Sequence, residues 1–153
     1  MKIAVGSDER THLTGVVIEE LQKRGHDLLL FGPLAENDPE VDWPLTSNKV
    51  AKSVATHKAD EGIVFCWTGT GASIAANKVP GIRAALCQDA ETARGARIWN
   101  HANVLALSLR ATTEAIAKEI LETWFTTPYS EDEWNRQQIE RIIRLEERQS
   151  FIE

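Results

Sequence analysis

Cysteine is scarce in this chain, which has only Cys66 and Cys87 in 153 residues. Their spacing fits no metal-ligand pattern, so we expect neither a disulfide scaffold nor a structural metal site. Apolar runs are also short. The longest, at 28–31, has the length of a strand rather than the roughly 18 residues of a membrane span. No signal-peptide pattern opens the sequence, which predicts a cytoplasmic protein without a membrane partner.

Positive charge is in short supply as well. The chain carries 17 Lys and Arg residues against 23 Asp and Glu residues, for a net charge of −6. It has no basic patch of the kind that nucleic-acid-binding proteins present, so we expect no nucleic-acid partner. Tryptophan, in contrast, is abundant for this length. Four of the five tryptophans lie close to the candidate site residues, at 43, 67, 99 and 134.

Strand patterns and helix patterns alternate along the chain. Short apolar runs predict strands at 2–7, 27–31, 62–66, 82–86 and 103–107. Apolar residues at helical spacing predict helices at 13–24, 44–57, 72–78, 90–99, 113–125 and 131–149, the last capped by Ser130. The alternation predicts a single α/β domain over 1–153, in which helices cover both faces of a parallel sheet.

The predicted last helix, within 130–149, has an apolar stripe but no strand after it to cover. The stripe consists of Ile139, Ile142, Ile143 and Leu145. A partner subunit is the expected surface for these residues, which makes the segment a candidate interface helix. Packing on its own monomer is the alternative that the pattern leaves open.

Polar residues follow several of the predicted strands. In an open parallel sheet, ligands bind at the carboxyl ends of the strands, near the point where the strand order reverses. The predicted strand ends bring carboxylates, a thiol, a glycine-containing loop and two arginines to that edge, in the segments 7–10, 66–71, 87–89 and 108–110. We therefore expect a small-molecule site at this edge.

The segment from Cys66 to Ser73 carries the most specific chemistry. Cys66 ends a predicted strand, Gly69 and Gly71 allow a tight turn, and a helix follows. The free N–H groups at such a helix start can hold an anion or a developing oxyanion, and they also favour a nearby thiolate. A thiolate beside an oxyanion cradle suits the removal of a proton next to a carbonyl group. The pattern alone leaves open whether Cys66 is this base or a buried cysteine at a strand end.

Three segments of the chain resemble one family of sugar isomerases. They are SIAANKVPGIRAALC at 73–87, ANVLAL at 102–107 and KIAVGSD at 2–8. They are similar to the signature of the type B ribose-5-phosphate isomerases, a family that includes the galactose-6-phosphate isomerase subunits, and the resemblance spans about residues 1–145. It implies a three-layer, flavodoxin-like (Rossmann-like) fold with a five-stranded parallel sheet. It also implies a homodimer or homotetramer with sites at the subunit interface and with no metal or cofactor.

The resemblance also implies roles for individual residues. The family interconverts aldose and ketose phosphates through an enediolate, with a cysteine at the position of Cys66 as base and a threonine at Thr68 linked to ring opening. Asp8 and Asn100 match positions that hold sugar hydroxyls, and Arg110 matches a position that helps to bind phosphate. The loop that cradles the enediolate oxygens comprises Gly69, Thr70, Gly71 and Ser73, and Asn103 joins the substrate-binding candidates.

The chain departs from the family pattern mainly at the expected phosphate ligands. Glu9 stands where the family has a histidine, and Trp134 and Gln138 stand where it has two arginines. Because each charged hydrogen bond to phosphate contributes about 1.5–3 kcal/mol, these changes predict weak phosphate binding. Arg10 and Arg136 are the nearest cations that could compensate.

Aromatic residues and one histidine also stand at altered positions. Trp99 replaces the histidine that the family uses in ring opening, and His101, two residues on, is the candidate to take over that role. Trp67 replaces a glycine, and Trp43 stands where the family often has tyrosine. Together with Trp134, these rings are suited to stacking against the C–H faces of a sugar.

The sequence is compatible with three functions. The first is an aldose–ketose isomerase with Cys66 as base and a substrate other than ribose 5-phosphate. The second is an ordinary ribose-5-phosphate isomerase whose phosphate ligands come from shifted positions such as Arg10, Arg136 and Arg141. The third is a non-catalytic paralogue that binds sugar or pairs with an active subunit. Retention of Cys66, Thr68 and the glycine loop favours an enzyme.

Overall fold

The computed structural model describes residues 1–149, which form one sheet with helices on both faces. Within these residues the strands are β1 (Lys2–Ser7), β2 (Asp27–Phe31), β3 (Glu61–Cys66), β4 (Ala84–Leu86) and β5 (Val104–Ser108). Their spatial order is β2-β1-β3-β5-β4, and every neighbouring pair is parallel. The α-helices are α1 (His12–Lys23), α2 (Trp43–Ala55), α3 (Thr70–Ala76), α4 (Ala90–Asn100), α5 (Glu114–Thr126) and α6 (Glu133–Gln149).

Two apolar layers enclose the sheet because successive strand residues point to opposite faces. On one face, Ile3 and Val5 pack with residues of α1, α4 and α5, among them the fully buried Trp124. On the other face, Ala4 packs with residues of α2 and α3, among them Val50. The predicted three-layer, flavodoxin-like α/β fold with a five-stranded parallel sheet is thus confirmed for residues 1–149.

The edge strand β4 is shorter than the sequence predicted, at 84–86 instead of 82–86. Before it begins, the side-chain amide of Asn103 accepts the Arg83 N–H (2.8 Å). On the open edge of the strand, the Asn77 amide donates to the Ala84 carbonyl and accepts the Ala84 N–H, both at 2.8 Å. Side-chain amides therefore take the place of strand pairing at this edge.

Helix α6 starts two residues later than predicted because Asp132, not Ser130, caps it. The Asp132 carboxylate accepts the N–H of Asn135 (2.9 Å), and the Asp132 carbonyl accepts the N–H of Arg136 (3.1 Å). Ser130 lies before the helix, where its N–H donates to the Ile98 carbonyl of α4 (3.1 Å). The predicted cap was therefore wrong, although the helix itself is present.

Candidate active site

The carboxyl ends of β1, β3 and β5 meet at one edge of the sheet, called the carboxyl edge below. The strand order reverses between β1 and β3, since β1 leads to β2 on one side and β3 leads to β4 on the other. Cys66 lies opposite Ser108 in the β3–β5 register, and Ser7 lies opposite Phe65 in the β1–β3 register. This is the kind of edge at which open parallel sheets bind small molecules.

Cys66 ends β3 with its side chain against the start of α3. The residue is buried, with 5% exposure, and its Sγ accepts a hydrogen bond from the Ala72 N–H (3.4 Å). Its carbonyl accepts the N–H of Leu109 (3.0 Å), which ties the strand end to the loop after β5. An N–H in the first turn of a helix that is directed at sulfur stabilises negative charge there. This geometry suits a thiolate base.

The loop after β3 requires glycine. Gly69 has φ +77°, and a Cβ there would lie 2.5 Å from the Leu86 side chain. The residue caps α3, which begins at Thr70, two residues before the predicted start. The Ser73 N–H donates to the Gly69 carbonyl (3.0 Å) and closes the turn. No hydrogen bond within residues 1–149 occupies the N–H groups of Thr70 and Gly71, so both can bind an oxyanion.

Two tryptophans flank this loop. Trp43 is the first residue of α2, and its ring packs on Gly71, where a Cβ would lie 3.0 Å from the ring atoms. Trp67 lies just before the glycines and is 59% exposed. Its carbonyl accepts hydrogen bonds from Ser108 Oγ (2.9 Å) and from the Arg110 N–H (3.0 Å). The fold therefore packs the Trp43 ring on the glycine loop and leaves Trp67, next to the loop in the chain, exposed.

Asp8 and Glu9 place two carboxylates after β1, at the same edge. The Asp8 Oδ1 is buried and has no hydrogen-bond partner among residues 1–149. Burial raises the pKa of the Asp8 carboxyl and the charge of Glu9 raises it further, whereas a backbone hydrogen bond lowers it. A buried carboxylate oxygen without a partner is suited to accepting a hydrogen bond from a sugar hydroxyl.

Arg10, the expected substitute for a phosphate ligand, holds the backbone instead. Its Nε donates to the Pro33 carbonyl (3.1 Å) and its Nη2 donates to the Leu34 carbonyl (2.9 Å). Arg136 is also paired, with Glu133 on the same helix. Both guanidinium groups therefore already have partners within the chain.

A cavity of about 340 Å³ opens beside the glycine loop. Its polar lining consists of Thr68, Thr70, Gln88, Ser108, Arg110 and Thr112. The hydroxyl oxygens of Thr68 and Thr70 are 2.7 Å apart, and the Arg110 guanidinium has no hydrogen bond or ion pair within residues 1–149. Gln88 belongs to the segment 87–89 that the sequence predicted at this edge, whereas sequence reasoning missed Thr112 as a lining residue. The available signal was its position as a polar residue shortly after a predicted strand.

The second cysteine, Cys87, follows β4 and is buried. Burial raises the pKa of its thiol to about 12, with a contribution from the charge of Asp89. Its Sγ lies 3.6 Å from the Ala85 carbonyl. Cys87 therefore stays protonated near neutral pH, and Cys66 is the candidate thiolate among residues 1–149.

Another group of predicted site residues lies at the opposite, amino edge of the sheet. Helix α4 starts after the carboxyl end of β4 and ends before the amino end of β5, so it carries Trp99 and Asn100 away from Cys66. Both side chains are exposed, and the Trp99 ring packs on Gly95 of its own helix. A single chain therefore does not bring these residues to the thiol.

His101 and Asn103 follow α4 and are held by contacts within the chain. His101 has φ +48°, its ring stacks on Tyr129 with centroids 4.6 Å apart, and its Nε2 lies 2.9 Å from the Ser130 carbonyl. The Asn103 amide donates to the Gly81 carbonyl (2.9 Å), in addition to its contact with the residue before β4. Both residues thus have structural contacts that the sequence pattern did not indicate.

Helix α6 packs on α4 and buries Asn135 and Ile139, but it leaves Trp134 66% exposed. Further exposed apolar residues of α6 are Ile142, Ile143 and Leu145. A groove of about 730 Å³ separates α6 from α4 and β4, with Trp99 and Leu145 in its lining. A groove that is open to solvent and lined in part by large apolar side chains is suited to contact with another chain.

Neither a metal-binding cluster nor a membrane helix occurs in residues 1–149. No group of three or more His, Cys, Asp or Glu side chains is placed to hold a metal ion there. In the same part of the chain, no helix is both long and apolar enough to span a bilayer.

Comparison with known proteins identifies the family. The model of the Ribose/Galactose Isomerase family matches residues 3–142. Ribose-5-phosphate isomerase B of Escherichia coli (strain K12) is 35% identical, over 97% of this chain and 99% of that protein. D-erythrulose-4-phosphate isomerase of Pectobacterium atrosepticum is 36% identical, over 84% of this chain and 85% of that protein. The structure of Clostridium thermocellum ribose-5-phosphate isomerase B matches with a TM-score of 0.88 and 38% identity, over 97% of this chain and 99% of the other. This chain therefore belongs to the ribose/galactose isomerase family of enzymes.

Proposed function

We propose that this chain interconverts an aldose and a ketose by moving a proton between C1 and C2. The observation that carries the proposal is the position of the Cys66 thiol, held by the Ala72 N–H beside the unoccupied N–H groups of the glycine loop. The reaction moves hydrogen within one substrate and is redox-neutral overall, so the proposal includes no cofactor.

The proposed chemistry has one base and one cradle. The Cys66 thiolate removes the proton from C2 of the open-chain aldose, and the resulting enediolate carries negative charge on its oxygens. Thr70 and Gly71 donate backbone hydrogen bonds to those oxygens. The Cys66 thiol then returns the proton to C1, and a proton moves from O2 to O1, which gives the ketose. Asp8 accepts a hydrogen bond from a sugar hydroxyl through its Oδ1, which has no partner within residues 1–149.

A partner subunit completes the proposed site. Trp99, Asn100 and His101 lie at the edge opposite Cys66, so they can act on substrate only in the site of another copy. We propose a homodimer, or a dimer of dimers, in which α6 with its exposed Ile142 contributes to the interface. In that site Thr68 and the partner's His101 are the proposed groups for ring opening.

The proposed substrate is a sugar other than ribose 5-phosphate. Glu9, Trp134 and Gln138 remove three expected phosphate ligands, and Arg10 and Arg136 are already paired within the chain. Each lost charged hydrogen bond costs about 1.5–3 kcal/mol of phosphate affinity. Within residues 1–149 the remaining candidate cation is Arg110, whose guanidinium has no partner there and lines the 340 Å³ cavity. An unphosphorylated sugar, or one whose anionic group lies at that cavity, fits these residues better than ribose 5-phosphate does.

A panel of free and phosphorylated tetroses, pentoses and hexoses, scored for ketose formation, tests the proposal. We expect turnover of a free sugar or of an unusual phosphate, and loss of that turnover in Cys66→Ala. Faster turnover of ribose 5-phosphate than of any other sugar in the panel would reject the substrate proposal and favour an ordinary ribose-5-phosphate isomerase. No turnover across the panel would favour a non-catalytic paralogue.

Mixing two inactive variants tests the shared site. Cys66→Ala and Asn100→Ala each remove one half of every site in a homodimer. In a co-expressed mixture, half of the dimers are mixed and each of these has one intact site, so about a quarter of wild-type turnover should return. A mixture that stays inactive would contradict the two-subunit site.

A further inference from the structure

A buried network holds the turn between α4 and β5, and no step of the proposed chemistry uses this network directly. His101, in this turn, occupies the left-handed region at φ +48°, where a Cβ is strained. Such a conformation persists only where surrounding contacts hold it. Trp99 and Asn100, which are proposed to enter the partner's site, are the last two residues of α4 and lie directly before this turn.

Arg97 forms the polar centre of the network. Its buried guanidinium places Nη2 2.9 Å from Glu61 Oε1, and its Nη1 donates to the Ala102 carbonyl (2.7 Å). The Glu61 carboxylate also accepts the indole N–H of Trp124 (2.6 Å). Glu61 begins β3 and Trp124 lies on the buried face of α5, so the network is anchored on the sheet and on a helix that packs against it.

Tyr129 joins this centre to the turn through both its hydroxyl and its ring. The hydroxyl accepts a hydrogen bond from Arg97 Nη1 (3.0 Å) and donates one to the Ala102 carbonyl (3.1 Å). The ring stacks on the His101 imidazole, with centroids 4.6 Å apart and an interplanar angle of 6°. Tyr129 therefore contacts both a backbone group and a side chain of the turn.

The residue after Tyr129 adds one contact to the end of α4 and one to the same turn. The Ser130 N–H donates to the Ile98 carbonyl (3.1 Å), and the Ser130 carbonyl lies 2.9 Å from His101 Nε2. Because a carbonyl can only accept, this contact places the ring proton on Nε2 and leaves Nδ1 of the neutral ring as the acceptor. The segment 129–130 thus sets both the orientation and the tautomer of His101.

We propose that Tyr129 is a positioning residue for the isomerase site of the partner subunit. It holds the turn in the orientation in which Asn100 and His101 reach the substrate bound at the partner's Cys66. Tyr129 itself does not touch substrate and acts through Ala102 and His101. This inference rests on the proposed function, since the turn has to enter a site in another copy.

Tyr129→Phe tests the inference because it keeps the ring and removes the hydroxyl. We expect kcat to fall about three- to tenfold because the turn loses both hydrogen bonds of the hydroxyl, while KM stays roughly unchanged. The matched control is Thr126→Val, which removes an exposed hydroxyl bonded only within α5. The control should keep wild-type turnover.

Two mixed dimers, purified through different tags, separate positioning from a general loss of structure. In the first dimer, one chain carries Cys66→Ala and the other carries Tyr129→Phe, so the single working thiol faces an intact turn. In the second dimer, one chain carries both changes and the other carries none, so the working thiol faces an altered turn. We expect wild-type turnover per working site in the first and the reduced value in the second. Equal turnover per working site in the two dimers, or lower turnover in the first than in the second, would overturn the proposal.

Amide hydrogen exchange tests the turn without any turnover. Tyr129→Phe should speed exchange at the amides of residues 101–103 several-fold and leave the rates in β3 unchanged. Unchanged exchange at the turn would overturn the proposal. A wild-type protein that isomerises no sugar would instead overturn the proposed function. The exchange rates would still decide whether Tyr129 holds the turn.

Discussion

The Ala72 N–H donates a hydrogen bond to the Cys66 Sγ at 3.4 Å, so helix α3 begins against the thiol. Cys66 ends β3 and Ala72 lies in the first turn of α3. The contact between them therefore depends on the glycine loop that joins these elements. A change that displaces the loop also moves the donor away from the sulfur.

Cys66→Ser should lower kcat at least about 100-fold, because a serine hydroxyl does not form an anion near neutral pH and cannot replace a thiolate base. KM should change little, since the two side chains are of similar size. Steady-state kinetics on the sugar identified by the panel measures both constants. Cys87→Ala is the control and should keep turnover, because Cys87 is buried and protonated. Equal losses of kcat in Cys66→Ser and Cys87→Ala would indicate that both substitutions act by disturbing the packing of the core.

Gly69→Ala should destabilise the fold by about 2–4 kcal/mol. Left-handed backbone costs a residue with a Cβ about 1–2 kcal/mol, and the added methyl group would lie 2.5 Å from the Leu86 side chain. Gly25→Ala is the matched control, since Gly25 has the same φ of +77° but nothing within 4 Å of its Cβ position. Urea unfolding measures the free energy of unfolding of both variants. An equal loss of stability in Gly69→Ala and Gly25→Ala would mean that overlap with Leu86 does not contribute.

Asp38→Asn should make the stability of the fold less sensitive to acid. The Lys49 ammonium (2.6 Å), together with the Gly32 N–H, lowers the pKa of the Asp38 carboxyl to about 2. Because the folded-state pKa lies below the unfolded-state value, the carboxylate stabilises the fold above about pH 4, and this contribution disappears as the pH falls toward 2.

At pH 7 the substitution should therefore cost about 1 kcal/mol, allowing for the partial exposure of Lys49. The difference in unfolding temperature between the variant and the wild type should become small at pH 2 and disappear as the pH falls below 2. Asp27→Asn is the control because Asp27 is an exposed carboxylate. If the free energies of unfolding of Asp38→Asn and wild type differed by the same amount from pH 2 to 7, the Asp38 carboxyl would not be a source of the sensitivity to acid.

Arg97→Met should destabilise the fold by about 3 kcal/mol, since it leaves the buried Glu61 carboxylate without its charged partner. Burial already raises the pKa of Glu61, and loss of the Arg97 charge removes the largest opposing influence. The unfolded state then releases the Glu61 proton at lower pH than the folded state. The cost of Arg97→Met should therefore grow as the pH rises from about 5 to 8.

The double variant Arg97→Met/Glu61→Gln supplies the control for this pair. With no carboxyl group at residue 61, the cost of losing Arg97 should become independent of pH over the same range. Thermal unfolding at pH 5 and pH 8 compares the two variants. The same pH dependence in both would exclude Glu61 as its source.

The architecture was accessible from the sequence because it follows from short-range patterns. Apolar runs and helical spacing depend on neighbouring residues, and the predicted bounds of β1 and β2 agree with the structure at both ends. The bounds of a strand were harder to predict where side chains that are distant in the sequence set them. The start of β4 depends on Asn103, 20 residues from its partner Arg83, and a local pattern carries no information about such a contact.

Part of the candidate site could also be predicted from a local sequence pattern. The order of Cys66, two glycines and a helix start is a local signal, and the structure has a thiol, a left-handed glycine and a helix at those positions. The roles of Tyr129 and Arg97 had no such signal. Their contacts join residues that are 27 to 36 positions apart, or five positions apart across a tight turn.

The sequence by itself determined the α/β class and the glycine loop after Cys66, and it predicted the carboxyl edge as the place of the candidate site, since each depends on residues close together in the chain. Only the tertiary structure decided which polar side chains already have hydrogen-bond partners within the chain. Arg10 bonds to carbonyls 23 and 24 positions away, and His101 lies against a carbonyl 29 positions away. The physical reason is that a hydrogen-bonding group can bond to any complementary group that packing brings within reach. Whether it remains available to a ligand is therefore a property of the folded chain.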